Sequence, residues 1–135
     1  TQVCRSLGRH LYHGVLALAR DPSLRVTCVG NSSSGIKETP AFGCPTVNIG
    51  SRQDGRLRAE NVIDSDYDSE SIIAAVTRCL DEARFQSICQ NCDNPYGIGD
   101  AGAKIANILA SVDLGTALIR KKMTLKGETE DGWFR

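Results

Sequence analysis

The chain has 135 residues, enough for one domain with a real core. Sixteen Lys and Arg balance sixteen Asp and Glu, and the resulting formal net charge of zero argues against broad electrostatic nucleic-acid binding, which needs a basic surface. No apolar run approaches the roughly 20 residues of a membrane-spanning helix, and plentiful glycine with few aromatics, in a chain where helix-like and strand-like segments alternate, favours α/β over an all-β barrel.

The chain opens on Thr1 rather than Met, as expected of a fragment or a processed product. Residues 1–19 are mostly helical in pattern, with Leu11, Val15, Leu16 and Leu18 as an apolar stripe. His13 and Gly14 interrupt this stretch, and it lacks a basic lead-in and a cleavage site, so no signal peptide is expected. Asp21 and Pro22 break the helix. The apolar, β-prone run from Leu24 to Val29 predicts the first strand.

That run leads into Gly30-Asn31-Ser32-Ser33-Ser34-Gly35, and a short helical segment, Ile36 to Phe42, leads out. Pro40 makes this helix short or bent, and Gly43 ends it. Cys44 to Ile49 predicts a second strand, with Pro45 at its start, where a missing donor costs least. A polar loop with Arg52, Arg56 and Arg58 follows, then a short strand from Asn61 to Asp64.

Asp68 or Ser69 caps a long helix, with Ile72, Ile73, Val76, Cys79, Leu80 and Ala83 on its apolar face. Cys89 to Asp93 reads as a turn. Asn94 to Asp100 is a second glycine-rich turn, from which Asp100 caps a last helix with Ile105, Ile108, Leu109 and Val112 on its core face. The tail from Arg120 is charged and weakly patterned, and Trp133 and Phe134 either dock on a partner surface or fray.

This order suits half of a parallel α/β sheet with right-handed crossovers. The serine loop and the arginine loop follow successive strands, so both are expected at the carboxyl edge, where such sheets bind ligands. The serine loop is neither a Walker loop nor a dinucleotide fingerprint. It still has what a phosphate needs: glycines that let the backbone approach, and serines that donate from hydroxyl and N–H at a helix start. An ordinary serine-rich cap is the alternative. Glu38, one turn further on, suits sugar hydroxyls better than phosphate, or is a plain helix-start acid. Arg52, Arg56 and Arg58 pair with phosphate, or with Asp54 and Glu60 as a solvated charge run.

Cys28, Cys44 and Cys79 read as small core residues. Cys89 and Cys92 form a C-x-x-C spacing, but only Cys4, His10 and His13 remain to complete four zinc ligands, and none sits at a typical spacing. A structural role is expected for the pair. The absence of a framework-like cysteine spacing favours a reduced cytoplasmic setting.

The run from Gly30 to Arg58, continuing through Glu60-Asn61-Val62, closely resembles the C-terminal half of the hydrolysing UDP-N-acetylglucosamine 2-epimerases, and Asn94 to Ala101 resembles the same family's later turn. The Asn-Ser-Ser-Ser-Gly loop points to the hydrolysing branch, since non-hydrolysing relatives usually carry an Asp-Ser-Gly-Gly type of loop. The resemblance implies part of a Rossmann-like parallel-sheet domain, the C-terminal half of a glycosyltransferase-B-like architecture. On this basis residues 1–114 form part of a UDP-binding domain and residues 115–135 a charged tail. By the same resemblance Ser32 and Ser33 hold the diphosphate, Glu38 the uridine ribose, and Arg52 sits beside the nucleotide. Leu7, by a looser match, lies near the uracil.

The implied partner is a UDP-sugar, and the implied step belongs to sialic acid biosynthesis. C2 deprotonation and loss of UDP, then water addition, give N-acetylmannosamine or a related 2-acetamido sugar, with no metal or other cofactor. The family's acid/base carboxylates come mainly from an N-terminal domain, and a His-Arg-rich motif opens its second domain. Neither is found in these 135 residues. His10 and His13 do not match that motif and read as surface or structural side chains. The chain alone is therefore expected to be inactive. A free-standing nucleotide-binding or assembly module without catalysis is the alternative, and an α/β fold with no ligand a third. An open edge at Leu24 to Val29 would invite pairing, so a homo-oligomer or a docked N-terminal domain is expected.

Overall fold

A computed structural model of the chain describes residues 1–116, 129–130 and 133–134. It comprises two compact units, Thr1–Ile98 and Gly99–Arg135. The first unit is built on three short strands, β1 (Cys28–Gly30), β2 (Thr46–Ile49) and β3 (Val62–Ser65), in the order β1-β2-β3. Both pairings are parallel, with Val29 opposite Val47 and Val47 opposite Ile63. This bears out the α/β reading and the shared direction of the strands.

β2 is central, and Thr46, Val47 and Asn48 are buried. Val47 packs with Ala75, Cys79, Phe85 and Cys89, while Ile49, Ile63 and Val76 close the edges of that cluster. Ala75 and Cys79 belong to α3 (Ser69–Asp81), whose start is capped by the Asp68 carboxylate accepting from the Ser71 N–H at 2.8 Å. The buried face differs from the expected one: Ala75 belongs to it, whereas Ile73 is 64% exposed and Ala83 is exposed. Residues 75 and 79 lie one turn apart and point into the sheet; Ile73 falls on the far side of the helix.

The segment expected as a turn at Cys89 to Asp93 belongs largely to a further helix, α4 (Ala83–Asn91). Extended backbone at Glu82 separates it from α3. Phe85 and Cys89, four residues apart, share the face that enters the core.

At the start of the chain the helix is α1 (Gly8–Ala17), shorter than the expected 1–19. Leu16 is buried, but Leu11, Val15 and Leu18 are exposed, so the predicted stripe is only partly covered. The first strand is also shorter than Leu24 to Val29. The Cys28 N–H and the Thr27 hydroxyl both donate to the Pro45 carbonyl, and Pro45 has no N–H with which to carry the ladder further back. β1 has a neighbour on one side only, so it is an edge strand among the described residues.

α2 (Ser34–Lys37) is a single turn, followed at Glu38 by a 3₁₀ turn (Thr39–Phe42) that contains Pro40. The bend expected from Pro40 is therefore present. Gly43 closes the turn in the left-handed region, at φ 62° and ψ 22°. A Cβ there would lie 3.1 Å from Gln90 Cα, on the backbone of α4, and 2.8 Å from Gln90 Oε1. Gly43→Ala should therefore destabilise the chain by about 1–3 kcal/mol, from left-handed strain plus crowding. Urea denaturation checks this, and a loss below about 0.5 kcal/mol would contradict it.

The second unit holds α5 (Ala101–Ser111) and a two-stranded antiparallel ribbon, β4 (Thr129–Glu130) with β5 (Trp133–Phe134). The backbone at Trp133 and Phe134 is thus paired. Ile105, Ile108 and Leu109, expected as a core face, are exposed. Asp100 does not cap α5; its carboxylate pairs with Lys104 at 2.7 Å instead. Residues 117–128 of the expected tail lie outside the described residues.

Candidate functional site

The serine loop leaves β1 at Gly30 and the arginine loop leaves β2 at Ile49. Because the strands are parallel neighbours, both loops emerge at the carboxyl edge, as expected. Gly50, at φ 68° and ψ −166°, turns the chain into a 3₁₀ turn at Ser51–Gln53. This aims two side chains back at the serine loop. Arg52 Nη1 donates to the Asn31 carbonyl at 2.8 Å, and Gln53 Nε2 donates to the same oxygen at 2.6 Å. Gln53 is buried and Arg52 exposed. Five N–H donors on a guanidinium leave Arg52 with others for an anion.

Within the serine loop, the Ser32 carbonyl accepts from the Gly35 N–H at 3.1 Å, and Ser32 Oγ accepts from the Ser34 N–H at 3.3 Å. Ser33 precedes α2 without spending its hydroxyl on a cap. One turn of helix adds little dipole. The donors the loop presents are therefore its individual hydroxyl and N–H groups, with the Arg52 guanidinium beside them, rather than the end of a long helix.

A cavity of about 730 Å³ lies beside this loop, lined by Leu7, Arg9, Tyr12 and His13 of the α1 region and by Glu38. It brings Leu7 and Glu38 together, although 31 positions separate them in the chain. Ser32, Ser33 and Arg52 are not among its walls. The link between the two regions is the Tyr12 hydroxyl, 2.5 Å from Ser34 Oγ. Burial pushes the Tyr12 phenol above its ordinary value, which keeps it a protonated partner for that serine.

His13, read from the sequence as surface or structural, lies with Nε2 at 2.7 Å from Glu38 Oε2. Its ring packs against Phe42, with ring centroids 5.3 Å apart. No local spacing signals this pair, because its members sit on different elements. Nothing in the sequence marks Gln53 either, since a buried glutamine beside an arginine has no motif of its own. The remaining arginines pair partly as expected. Arg58 meets Asp54 at 3.6 Å, but its closer partner is Asp64 at 3.0 Å rather than Glu60. The second glycine-rich turn fastens onto α2 and the arginine loop: Asn94 Nδ2 donates to the Lys37 carbonyl, the Tyr96 hydroxyl donates to the Leu57 carbonyl, and the Lys37 ammonium stands over the Tyr96 ring.

All six cysteines are free thiols. Cys44, Cys79 and Cys89 are buried, as the core reading of the first two requires, while Cys28 is half-buried. Burial pushes Cys44 and Cys89 up to about 12, so neither forms a useful thiolate near neutrality. Cys92 Sγ lies 3.2 Å from the Cys89 carbonyl and donates to it. Since the folded values are raised, the stabilisation from these buried thiols is complete below the ordinary 9.0 and is lost as pH climbs toward 12. A thiol titration at pH 8 should accordingly modify exposed Cys4 at once and Cys44 and Cys89 only after denaturant is added. Rapid modification of Cys89 in the folded chain would contradict its place in the core.

Residues 2–110 match the model of the family described as UDP-N-acetylglucosamine 2-epimerase. The UDP-N,N'-diacetylbacillosamine 2-epimerase (hydrolyzing) of Legionella pneumophila is 34% identical over 93 residues, which cover 69% of this chain and 23% of that protein. The GDP/UDP-N,N'-diacetylbacillosamine 2-epimerase (hydrolyzing) of Campylobacter jejuni is 46% identical over 61 residues, 45% of this chain and 14% of that protein. The polysialic acid biosynthesis protein P7 of Escherichia coli is 43% identical over 68 residues, 50% of this chain and 17% of that protein. The chain thus spans less than a quarter of the length of these relatives.

Proposed function

Since the chain belongs to the UDP-N-acetylglucosamine 2-epimerase family, we propose that it is the UDP-holding part of a hydrolysing enzyme of that family. The whole enzyme would convert UDP-N-acetylglucosamine, or a related UDP-2-acetamido sugar, and water into the free 2-epimeric sugar and UDP. The observation that carries this reading is the clasp at Asn31. It sets the Arg52 cation against the serine loop, next to the cavity that holds Glu38 and Leu7.

In this reading Ser32 and Ser33 donate to the diphosphate, and Arg52 balances its charge through the donors not spent on Asn31. Hydrogen bonds to a charged oxygen contribute roughly 1.5–3 kcal/mol each, so a few suffice for a diphosphate. Glu38 accepts from ribose hydroxyls, and the Leu7 side chain lies against the uracil. Residues 1–114 form this part of a Rossmann-like domain and residues 115–135 the tail.

The reaction removes the C2 proton, breaks the C1–O bond so that UDP leaves with the bonding pair, and adds water to the resulting unsaturated sugar. This chain supports the departure of UDP by stabilising the charge that develops on the diphosphate. The acid/base groups belong to the rest of the enzyme, across the cleft of a glycosyltransferase-B-like architecture. The name of the Escherichia coli relative supports a place in sialic acid biosynthesis, and the amino sugar itself is read by that other half. The setting is cytoplasmic, where nucleotide sugars are at hand. No helix among the described residues is long and apolar enough to cross a membrane.

UDP titrated onto the isotope-labelled chain should shift the backbone amides of residues 31–35 together with those of Leu7 and Glu38. Shifts confined to other regions would overturn the assignment. Incubation with UDP-N-acetylglucosamine should release no UDP above the protein-free rate; release would show that the chain holds catalytic groups of its own.

A further inference from the structure

Resting on the ribose role proposed for Glu38, we infer that His13 is the positioning residue that sets the preference of this site for nucleotides with ribose hydroxyls. A Glu side chain at a surface cavity samples many rotamers, and ordering it on binding erodes what its hydrogen bonds contribute. Here it is ordered in advance. Glu38 stands at the joint between α2 and the 3₁₀ turn, where its own N–H donates to the Ser34 carbonyl at 2.9 Å. Its Oε2 lies 2.7 Å from His13 Nε2.

In the tautomer that carries the Nε2 proton, the imidazole donates to this carboxylate oxygen. Oε1 keeps its lone pairs for a ligand hydroxyl. His13 is itself held, by the α1 backbone and by the Phe42 ring. The neighbouring cation Lys37 is engaged over the Tyr96 ring, which leaves the imidazole as the hydrogen-bonded partner of Glu38. Arg9, on the cavity wall, is a further cation of this region. The pair therefore works as a preset acceptor for a diol, with His13 acting through Glu38 rather than touching the nucleotide's reacting atoms.

Calorimetry with UDP and with 2′,3′-dideoxyuridine diphosphate, on the 135-residue chain and its variants, tests this directly. The unmodified chain should prefer UDP by about 10-fold or more, the discrimination expected when a charged hydrogen bond is lost. His13→Phe keeps an aromatic ring but removes the donor. It should weaken UDP by roughly 5- to 20-fold, leave the dideoxy analogue within about twofold, and so collapse the ratio. His13→Gln restores a donor of similar reach and should retain most of the preference. His13→Asn, too short to span to Glu38, gives a second version of the loss if the phenylalanine variant folds poorly by circular dichroism.

A ratio unchanged in His13→Phe or His13→Asn, or equal losses for both ligands, would overturn the inference while leaving the diphosphate reading intact. Equal affinity of the unmodified chain for both ligands would also overturn it. Absence of UDP binding by the folded, unmodified chain would overturn the functional reading and this inference together.

Discussion

Replacing Ser32 and Ser33 together by alanine is expected to weaken UDP binding by about 100-fold. Each hydroxyl that donates to a diphosphate oxygen contributes roughly 1.5–3 kcal/mol, and two such losses amount to at least two decades in Kd. The backbone N–H donors and Arg52 remain, so binding is reduced rather than abolished. Uridine, which lacks the diphosphate, should lose little. The fold should hold as well, because Ser33 makes no capping bond and Ser32 Oγ only accepts a long one from Ser34. Calorimetry with UDP and uridine separates these outcomes. Equal losses for both ligands would move the two serines from phosphate binding to loop structure.

The second large effect is on stability. Asn61→Ala should cost about 3 kcal/mol, a substantial part of the 5–15 kcal/mol that holds a typical domain together. Asn61 is fully buried, and its Nδ2 donates to the Cys44 carbonyl at 2.7 Å and to Thr39 Oγ1 at 3.0 Å. Thr39 passes the network on, donating to the Gly35 carbonyl at 2.6 Å and accepting from the Thr46 hydroxyl at 2.9 Å. These bonds fasten the segment that carries Glu38 onto the start of β2 and β3. Truncation leaves a small cavity and an under-satisfied carbonyl, both costly at a fully buried position. Thermal and urea denaturation should show the loss, and a change under about 1 kcal/mol would mean the network is dispensable.

The parts of the fold legible in the sequence were those with strong local signals. Val47, Ile49, Val62 and Ile63 are β-branched and bounded by glycine and polar loops, so β2 and β3 could be placed within one or two residues. The shared direction of β1 and β2 followed from the helical segment between them, whereas β3 lies parallel to β2 across a loop with only a 3₁₀ turn. Asp68 was legible as a cap because its chemistry is local. The edges were less legible. β1 begins only at Cys28 because Pro45 cannot carry the ladder further back, a fact that lies on the neighbouring segment. α4 was missed because its polar end outweighed the spacing of Phe85 and Cys89, which has meaning only once a helix is assumed.

The candidate site divides in the same way. The serine and arginine loops carry dense motifs and adjoin in space as their order along the chain implies. The bond from Arg52 to Asn31 and the pairing of His13 with Glu38 are tertiary facts. Twenty-one and twenty-five positions separate those partners, and no short-range pattern encodes them. The exposed residues of α1 and α5 show the converse limit: an apolar stripe says that a helix has something to bury, not that the cover is present.

The most direct test of the central claim is calorimetric titration of the folded 135-residue chain with UDP, alongside uridine. One saturable UDP site is expected, with uridine weaker by at least about 10-fold, as lost charged hydrogen bonds at the serine loop require. A folded chain that takes up no UDP at millimolar concentration, or binds uridine as tightly as UDP, would contradict the claim that this loop holds the departing diphosphate.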